Sequence, residues 1–586
     1  MTFSDFDFRL PLASIKRRAF LNHVLSMAAL APLLDSFQGA AATVEGARSQ
    51  FDQTAAYVEE QIPKLLDAIP GIAVALVTRD QVYLKGFGVK KQGLPAPIGP
   101  HTTFSLQSIS KLYTATAVLR AYEQGVVGLD EPLSELIPGF TVRSRYESNP
   151  EKKITLRHLL SHTAGFTHEA PVGNNYFVGN KSFAEHVASI GDSWLRFPVG
   201  ERYEYSNLGV DLAGFALALR YKTSLDGVFD ELLYRPLGLQ RTSVDFSRII
   251  PDADRAVGHD SFIVDLPVKV PMDAAGGVYT SVEDAAKFLQ AHLRGTLIRS
   301  DTAKLMAQPP FPASGQEFGY GLGLSAFTRR GNYTLGHGGG GFGFLTHLYW
   351  LPDHGVGVVL LTNGVAAANI SAALGVVDAV NSYRSELLER LAGAAPHAPP
   401  TPRPADVDVG ILARYAGVYI GRASALEFYV EGGTFKARLY SQFQEQKPRS
   451  LPLTILSPAS VWLDRGPAAE GWKLSFSAGT GGRPPNVVSV GDGSVWLRDS
   501  GEPIPEGIRE ALRSYLKDYV VRLNGVEVAK MKLQLDGAYL KLSPCAGAPS
   551  AILTHFKDLL FFTSHGEALD LGGPTPTYAN ILLEAA

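Results

Sequence analysis

Apolar residues at Phe51, Ala55, Val58, Ile62, Leu65 and Ile69 recur at helical spacing, and Pro70-Gly71 ends the run. Strand-like runs then follow over 72–77 and 82–87, separated by a polar turn at Asp80. Strand signals return at 345–350 and 356–362, joined by Pro352-Asp353-His354-Gly355 as a hairpin turn, and a helical stretch from about 366 to 391 follows. The strands of one sheet therefore come from both ends of a segment whose middle is largely helical. That order predicts an α+β fold with a two-lobed body.

Residues 393–406 are proline-rich, including AAPHAPPTPRPA, and predict an extended linker. Beyond it, residues 407–586 show short alternating runs and glycine turns, an all-β pattern. A faint repeat runs through this region: Leu412, Tyr415, Tyr419 and Arg422 recur as Leu512, Tyr515, Tyr519 and Arg522. Two small barrels of similar design, about 407–505 and 506–586, would explain it, as would convergence of aromatic-rich strands.

A chain of 586 residues, 45% hydrophobic and 19% charged, is too long for one core and predicts two to four domains. The net charge of -3 gives no support to nucleic-acid binding. The single cysteine, Cys545, rules out an internal disulfide and a thiolate metal cage. No HExxH or other clustered ligand spacing occurs, so neither metal nor cofactor is expected.

The N-terminus carries Lys16-Arg17-Arg18-Ala19-Phe20-Leu21, a modestly apolar stretch over 23–34 and small residues at 39–42. This looks like a twin-arginine signal occupying 1–42, with an amphipathic helix bearing exposed arginines as the alternative. The expectation is a periplasmic or secreted protein whose catalytic body spans 43–392. The apolar run is too short to cross a bilayer, and no later run is long enough, so no transmembrane span is expected in the mature chain. Nothing in the sequence fixes an oligomeric state.

The stretch LGHGGGGFGF at 335–344 admits three readings. As GxGxxG it would be a dinucleotide cradle, but a strand rather than a helix follows it. As the HGGG segment of some esterases it needs a downstream GxSxG elbow, which is missing. As a sheet edge kept bare for substrate it needs a nucleophile elsewhere.

One candidate nucleophile lies in FSLQSISKLYTATAVL. Leu112, Ala115, Leu119 and Tyr122 hold helical spacing, placing Ser108 at or near a helix N-terminus with Lys111 on the same face. A lysine amine there can take the serine proton, and the helix start faces developing negative charge. A plain helix N-cap is the alternative use of Ser108. Ser514 and Lys517 repeat the SxxK spacing, and Tyr205-Ser206-Asn207 has a second copy at Tyr578-Ala579-Asn580. Only the first copies keep company with each other and with His337.

In that order the chain resembles the serine β-lactamase-like superfamily, in the branch of class C β-lactamases, DD-carboxypeptidases, D-aminopeptidases and related esterases. Further shared stretches are GIAVALV, ITLRHLLSHTAGF, FPVGERYEYSNLGVDLAG, AAGGVYTSVEDAAKF and VVLLTNG, within about residues 50–390. The trailing β region looks like lipocalin-like modules found on some members. The resemblance implies an antiparallel sheet flanked by helices plus a helical lobe. It also implies that Ser108 forms an acyl-enzyme, that Lys111 and Tyr205 share the general-base and general-acid work, and that Asn207 orients Lys111 and donates to substrate. The Gly340 amide, with that of Ser108, would form the oxyanion hole, and Gly338 and Gly339 would complete the substrate-facing strand.

His337-Gly338 stands where true β-lactamases carry Lys-Thr, so the charge expected at His337 is conditional on pH and the hydroxyl is missing. The expected function is an exported serine hydrolase acting on an amide, peptide or ester bond of a small molecule or short peptide. Alternatives are a true β-lactamase, or a catalytically silent peptidoglycan- or ligand-binding protein.

Overall fold

The computed structural model describes residues 49–586 apart from 169, 174–180, 202, 261–267, 311–317, 330, 366–369, 394–401, 421–423, 442–448, 465–471, 477–486, 491–494, 499–503, 524–525, 537–538, 545–550, 564–566 and 579–580. The predicted signal segment and Cys545 therefore lie outside the described residues, as does much of the linker.

The apolar runs GIAVALVT and VGVVLLT become strands β1 (Gly71–Thr78) and β10 (Val356–Thr362), paired antiparallel at the centre of a seven-stranded sheet. Their side chains alternate between two cores, which is why neither strand shows a polar face. Ala73, Ala75, Val77, Val359 and Leu361 face the helical lobe; Ile72, Val74, Leu76, Val358 and Leu360 face the terminal helices. Burying each valine, leucine or isoleucine contributes about 1.5–3 kcal/mol, so this double burial fixes the register. The other strands are β2 (Val82–Gly88), β6 (Phe318–Tyr320), β7 (Ser325–Arg329), β8 (Asn332–Gly341) and β9 (Phe344–Leu351), in the order β2-β1-β10-β9-β8-β7-β6.

Helices α1 (Gln50–Gln61) and α7 (Ile370–Leu391) cover one face. On the other face lies the helical lobe, with α2 (Ser110–Glu123), α3 (Phe183–Ile190), α4 (Asn207–Tyr221), α5 (Asp273–Gly276) and α6 (Val282–Arg294). The two-lobed α+β expectation holds. Two local expectations change. The first helix tightens into a 3-10 turn over Ile62–Leu65 because Pro63 supplies no amide to an α-helical bond, so it ends before Pro70. Strands also return before 345, at β6, β7 and β8; their glycines and short lengths hid them from a search for apolar runs.

The C-terminal region is all β apart from short helices. Among the described residues, nine antiparallel strands between Gly417 and Arg498 form one sheet, and eight strands between Asp518 and Ala585 close into a barrel. The faint repeat has a structural counterpart. Leu412 and Leu512 are fully buried, Tyr419 Oη donates to Tyr415 O at 3.1 Å, and Tyr519 Oη donates to Tyr515 O at 2.9 Å. Each unit thus pins a short helical turn to its first strand with the same tyrosine hydroxyl.

Candidate active site

The turn that presents Ser108 is built by its neighbours. β3 (Thr103–Ser105) pairs with β5 (Tyr279–Ser281), the short β4 (His259–Asp260) falling between them in the chain, and Leu106 N donates to Val278 O at 2.8 Å. Gln107 then takes a left-handed φ of +52°, with its Nε2 donating to Ser105 Oγ at 2.7 Å. A non-glycine residue there is costly, and the side-chain bond helps hold it. Ser108 follows in a single 3-10 turn, Gln107–Ile109, that leads into α2. The N-cap of α2 is Ile109, with no side-chain cap, so Ser108 is not spent on capping.

One helical turn on, Lys111 is completely buried. Its Nζ lies 3.3 Å from Ser108 Oγ and donates to Asn207 Oδ1 at 2.7 Å and to Ala275 O at 2.8 Å. Two oxygen acceptors therefore engage two amine hydrogens, and the remaining tetrahedral position faces the serine hydroxyl. A neutral amine would present its lone pair there, which is the geometry for accepting the serine proton. The Tyr205 ring lies beside the same amine, with Nζ 4.9 Å from its centroid.

The acceptors are themselves held. Asp211 is one turn beyond Asn207 on α4, and its Oδ1 accepts from Ala274 N at 3.1 Å and Ala275 N at 2.9 Å. Its Oδ2 is 3.1 Å from His186 Nε2, while His186 Nδ1 lies 2.5 Å from Val172 O. Both imidazole nitrogens thus face oxygen atoms, so the ring is held from two sides. His162 sits at φ +58°; its carbonyl accepts Glu204 N at 2.8 Å and its Nδ1 accepts Ser206 N at 3.2 Å, so it fixes the segment that carries Tyr205. Burial foremost, then the Lys111 charge, holds the His162 pKa well below the ordinary value. Its bonds mark it as a support for the tyrosine segment.

The glycine run forms the end of β8. Pairing with β9 continues to Gly341, but pairing with β7 stops at Ser325 opposite Gly336. From residue 337 onward one side of β8 has no strand partner among the described residues. Gly339 meets the Ser108 turn: a Cβ there would sit 2.1 Å from Leu106 O and 2.3 Å from Thr346 Oγ1. Gly340 is exposed, and a Cβ there would meet nothing within 4 Å. Gly339 therefore serves close approach, whereas Gly340 presents open backbone.

His337 is buried between them and the lobe. Its Nε2 is 2.9 Å from Tyr320 Oη, and its Nδ1 is 2.5 Å from Gly338 O. This assigns the neutral ring, with Nδ1–H donating to the carbonyl and Nε2 accepting from the phenol. Burial, then the nearby Lys111 charge, pushes its pKa down to about 3 against the opposing pull of the Gly338 carbonyl. The expectation that His337 carries a pH-conditional charge is corrected: the ring stays neutral over any ordinary working pH.

The structure therefore brings Ser108, Lys111, Tyr205, Asn207, His337, Gly338, Gly339 and Gly340 together; Tyr205 and His337 ring centroids are 6.3 Å apart. The duplicate motifs fall elsewhere: Ser514 Oγ donates to Ala511 O at 3.3 Å, and Tyr578 Oη donates to Glu567 Oε2 at 2.7 Å in the barrel. Sequence reasoning missed Tyr320, His186, Asp211 and the Ala275 carbonyl. Only Asp211 left a signal, its position four residues after Asn207 on a helix.

A family model described as Beta-lactamase matches residues 58–380. The chain is 27% identical over 374 residues to penicillin-binding protein 4 of Amycolatopsis lactamdurans, covering 60% of this chain and 93% of that one. It is 25% identical over 341 residues to the D-alanyl-D-alanine-carboxypeptidase/endopeptidase AmpH of Escherichia coli (strain K12), covering 54% and 84%. Among solved structures, SurE superposes with a TM-score of 0.55 at 22% identity, covering 77% of this chain and 99% of its own. The D-amino acid amidase from Ochrobactrum anthropi SV3, complexed with L-phenylalanine amide, gives 0.50 at 20% identity, covering 59% and 99%. Those two likenesses speak to the fold.

Proposed function

The chain belongs to the beta-lactamase family of serine hydrolases, and on that premise we propose that it cleaves an amide, peptide or ester bond through an acyl-Ser108 intermediate. The observation that carries this reading is the buried Lys111 amine, which is held by Asn207 and Ala275 and faces Ser108 Oγ at 3.3 Å. Lys111 accepts the serine proton as Oγ attacks the substrate carbonyl. The proton passes by way of Lys111 and Tyr205 to the leaving nitrogen or oxygen, the acyl bond breaks, and water later releases the acid by the reverse route. The amides of Ser108 and Gly340 face the oxyanion, and the open side of β8 takes the substrate backbone as a short added strand.

The neutral His337 narrows the substrate class. Without an ammonium at this position, the site favours amides and esters that carry no carboxylate at the leaving end, and it is poorly suited to β-lactams. The arginine-containing N-terminal segment supports export, and the composition supports a division at the proline-rich stretch into a catalytic body and all-β modules. Among the described residues no helix is long and apolar enough to cross a membrane.

The test is covalent labelling. A fluorophosphonate probe is expected to phosphonylate Ser108 with loss of fluoride and to leave Ser108→Ala unlabelled, a variant whose turnover falls by about a thousandfold or more. Labelling that persists in the variant would falsify the assignment. A panel of D- and L-aminoacyl anilides, short-chain esters and acyl-D-Ala-D-Ala peptides then ranks substrates, with the anilides and esters, whose leaving groups carry no carboxylate, expected first.

A further inference from the structure

The segment that delivers Tyr205 is tied to a distant part of the chain. Leu195 N donates to Arg143 O at 2.8 Å and Arg143 N to Ser193 O at 3.2 Å, making a small platform on the helical lobe. From it, Arg196 N donates to Gly165 O at 2.8 Å, and the buried Arg196 guanidinium pairs with the carboxylate of Glu204, the residue beside Tyr205. The other arm of the same guanidinium leaves the catalytic body. Arg196 Nη2 donates to Thr563 O at 3.2 Å, in the C-terminal barrel, and lies against the Phe562 ring, 5.3 Å from its centroid.

The barrel is seated on that platform by a second arginine. Arg145 Nη1 donates to Phe556 O, and the guanidinium stacks 4.2 Å from the Phe556 ring centroid. Trp194 meets the same ring edge-on at 6.0 Å, and Lys557 lies 4.7 Å over Trp194. All these barrel residues belong to one hairpin, Ala551–Lys557 and Leu560–Thr563. Phe556 and Phe562 are both buried yet are absent from the cluster that fills the barrel interior, where Leu553 and Phe561 point. They are therefore outward-facing aromatics, covered by the catalytic body.

We propose that the C-terminal barrel is a working part of the active site. Its docked hairpin holds Arg196, Arg196 holds Glu204, and Glu204 sets the position of Tyr205. Arg196 is thus a positioning residue that acts through its neighbour. A guanidinium suits the task because its rigid fork serves a carboxylate and a carbonyl at once, which a lysine ammonium on a flexible stem does not. With the hairpin undocked, the guanidinium loses the Thr563 carbonyl and the Phe562 ring that help fix its orientation, and the pair with Glu204 becomes free to reorient. This proposal rests on the reading of Tyr205 as a proton-transfer residue.

The experiment uses the full chain, the best-turned-over ester or anilide, and variants on both sides of the contact. Phe556→Ser removes the ring held by Arg145 and Trp194, and Arg196→Met removes the fork. Each is expected to lower kcat about tenfold or more while KM changes by less than about threefold, and the double variant is expected to be no slower than Arg196→Met alone. Arg196→Lys keeps a cation for Glu204 and loses the reach to Thr563, so it should match Phe556→Ser. These two variants carry the test if Arg196→Met does not fold. A kcat within about twofold of the parent in Phe556→Ser, or effects that multiply in the double variant, would overturn the coupling. Tyr205→Phe separates the premises: if it turns over within about threefold of the parent, the role of Tyr205 fails and the coupling with it; if it is inactive while Phe556→Ser keeps a kcat within about twofold of the parent, the coupling alone fails.

Discussion

Asp211 shows how a residue that touches no substrate position governs one that does. Its carboxylate gathers the amides of Ala274 and Ala275, and this turns the Ala275 carbonyl toward Lys111. Its charge is met by His186, with both side chains fully out of solvent. Removing one partner of such a pair leaves the other buried and unpaired, so Asp211→Ala is expected to cost about 3–5 kcal/mol in a denaturant titration. A loss below about 1 kcal/mol would show that the pair is not ionised. His337 gives the companion case at the same scale. Its neutral ring bridges Tyr320 and its own strand, so the rate profile should show no ionisation from it between about pH 5 and pH 9.

At the scale of the element, the end of β8 separates two uses of glycine that look alike in sequence. Gly339→Ala forces a methyl group against Leu106 O, the backbone that leads into the Ser108 turn, while Thr346 Oγ1 already donates to that oxygen at 2.8 Å. The strand must move away, and the expected cost is about 1–3 kcal/mol of stability together with a loss of kcat/KM of about a hundredfold. Gly340→Ala points into open space and should leave the unfolding midpoint unchanged to within about 0.5 kcal/mol. Equal losses of stability at the two positions would refute this division. Mass-matched variants one residue apart make the comparison a sharp one.

For the whole molecule, the catalytic body encloses several histidines that fold as neutral rings. His292 is held down to about 4 by burial and His337 to about 3, while burial, and the Arg384 charge after it, keep His347 well below its usual value. Each is free to protonate near pH 6.5 when unfolded, so the unfolded chain binds more protons below that pH. Their contribution is present above about pH 6.5 and is lost as pH falls toward 4 and then 3. Stability at pH 5 should therefore lie below that at pH 7 by about 2 kcal/mol for His292 and for His337, and His292→Leu should flatten the slope by about 1 kcal/mol per pH unit in that window. Asp273 works the other way: burial first, and the neighbouring Asp211 charge, push it up to about 7, so its share of stability falls between about pH 4 and pH 7. Asp273→Asn should accordingly gain more at pH 8 than at pH 5.

What could be read from the sequence is whatever is local or periodic. The apolar runs at 72–77 and 356–362 announced strands of one sheet drawn from both ends of a largely helical segment; that the sheet is covered on both faces came from the folded arrangement. The spacing of Ser108 and Lys111 predicted one helical face, since a helix turn brings residues three apart together. The glycine run was legible as bare backbone, though its neighbours β6 and β7 were not. The resemblance grouped Tyr205, Asn207 and His337 with them. Tertiary structure alone decided what depends on approach between distant segments. It made His337 neutral by burying the ring and placing Lys111 near it, and it turned the Ala275 carbonyl toward Lys111 through Asp211. It also laid a hairpin from the far end of the chain against Arg196. Burial, partner geometry and charge proximity are properties of the folded arrangement, and no spacing along the chain encodes them.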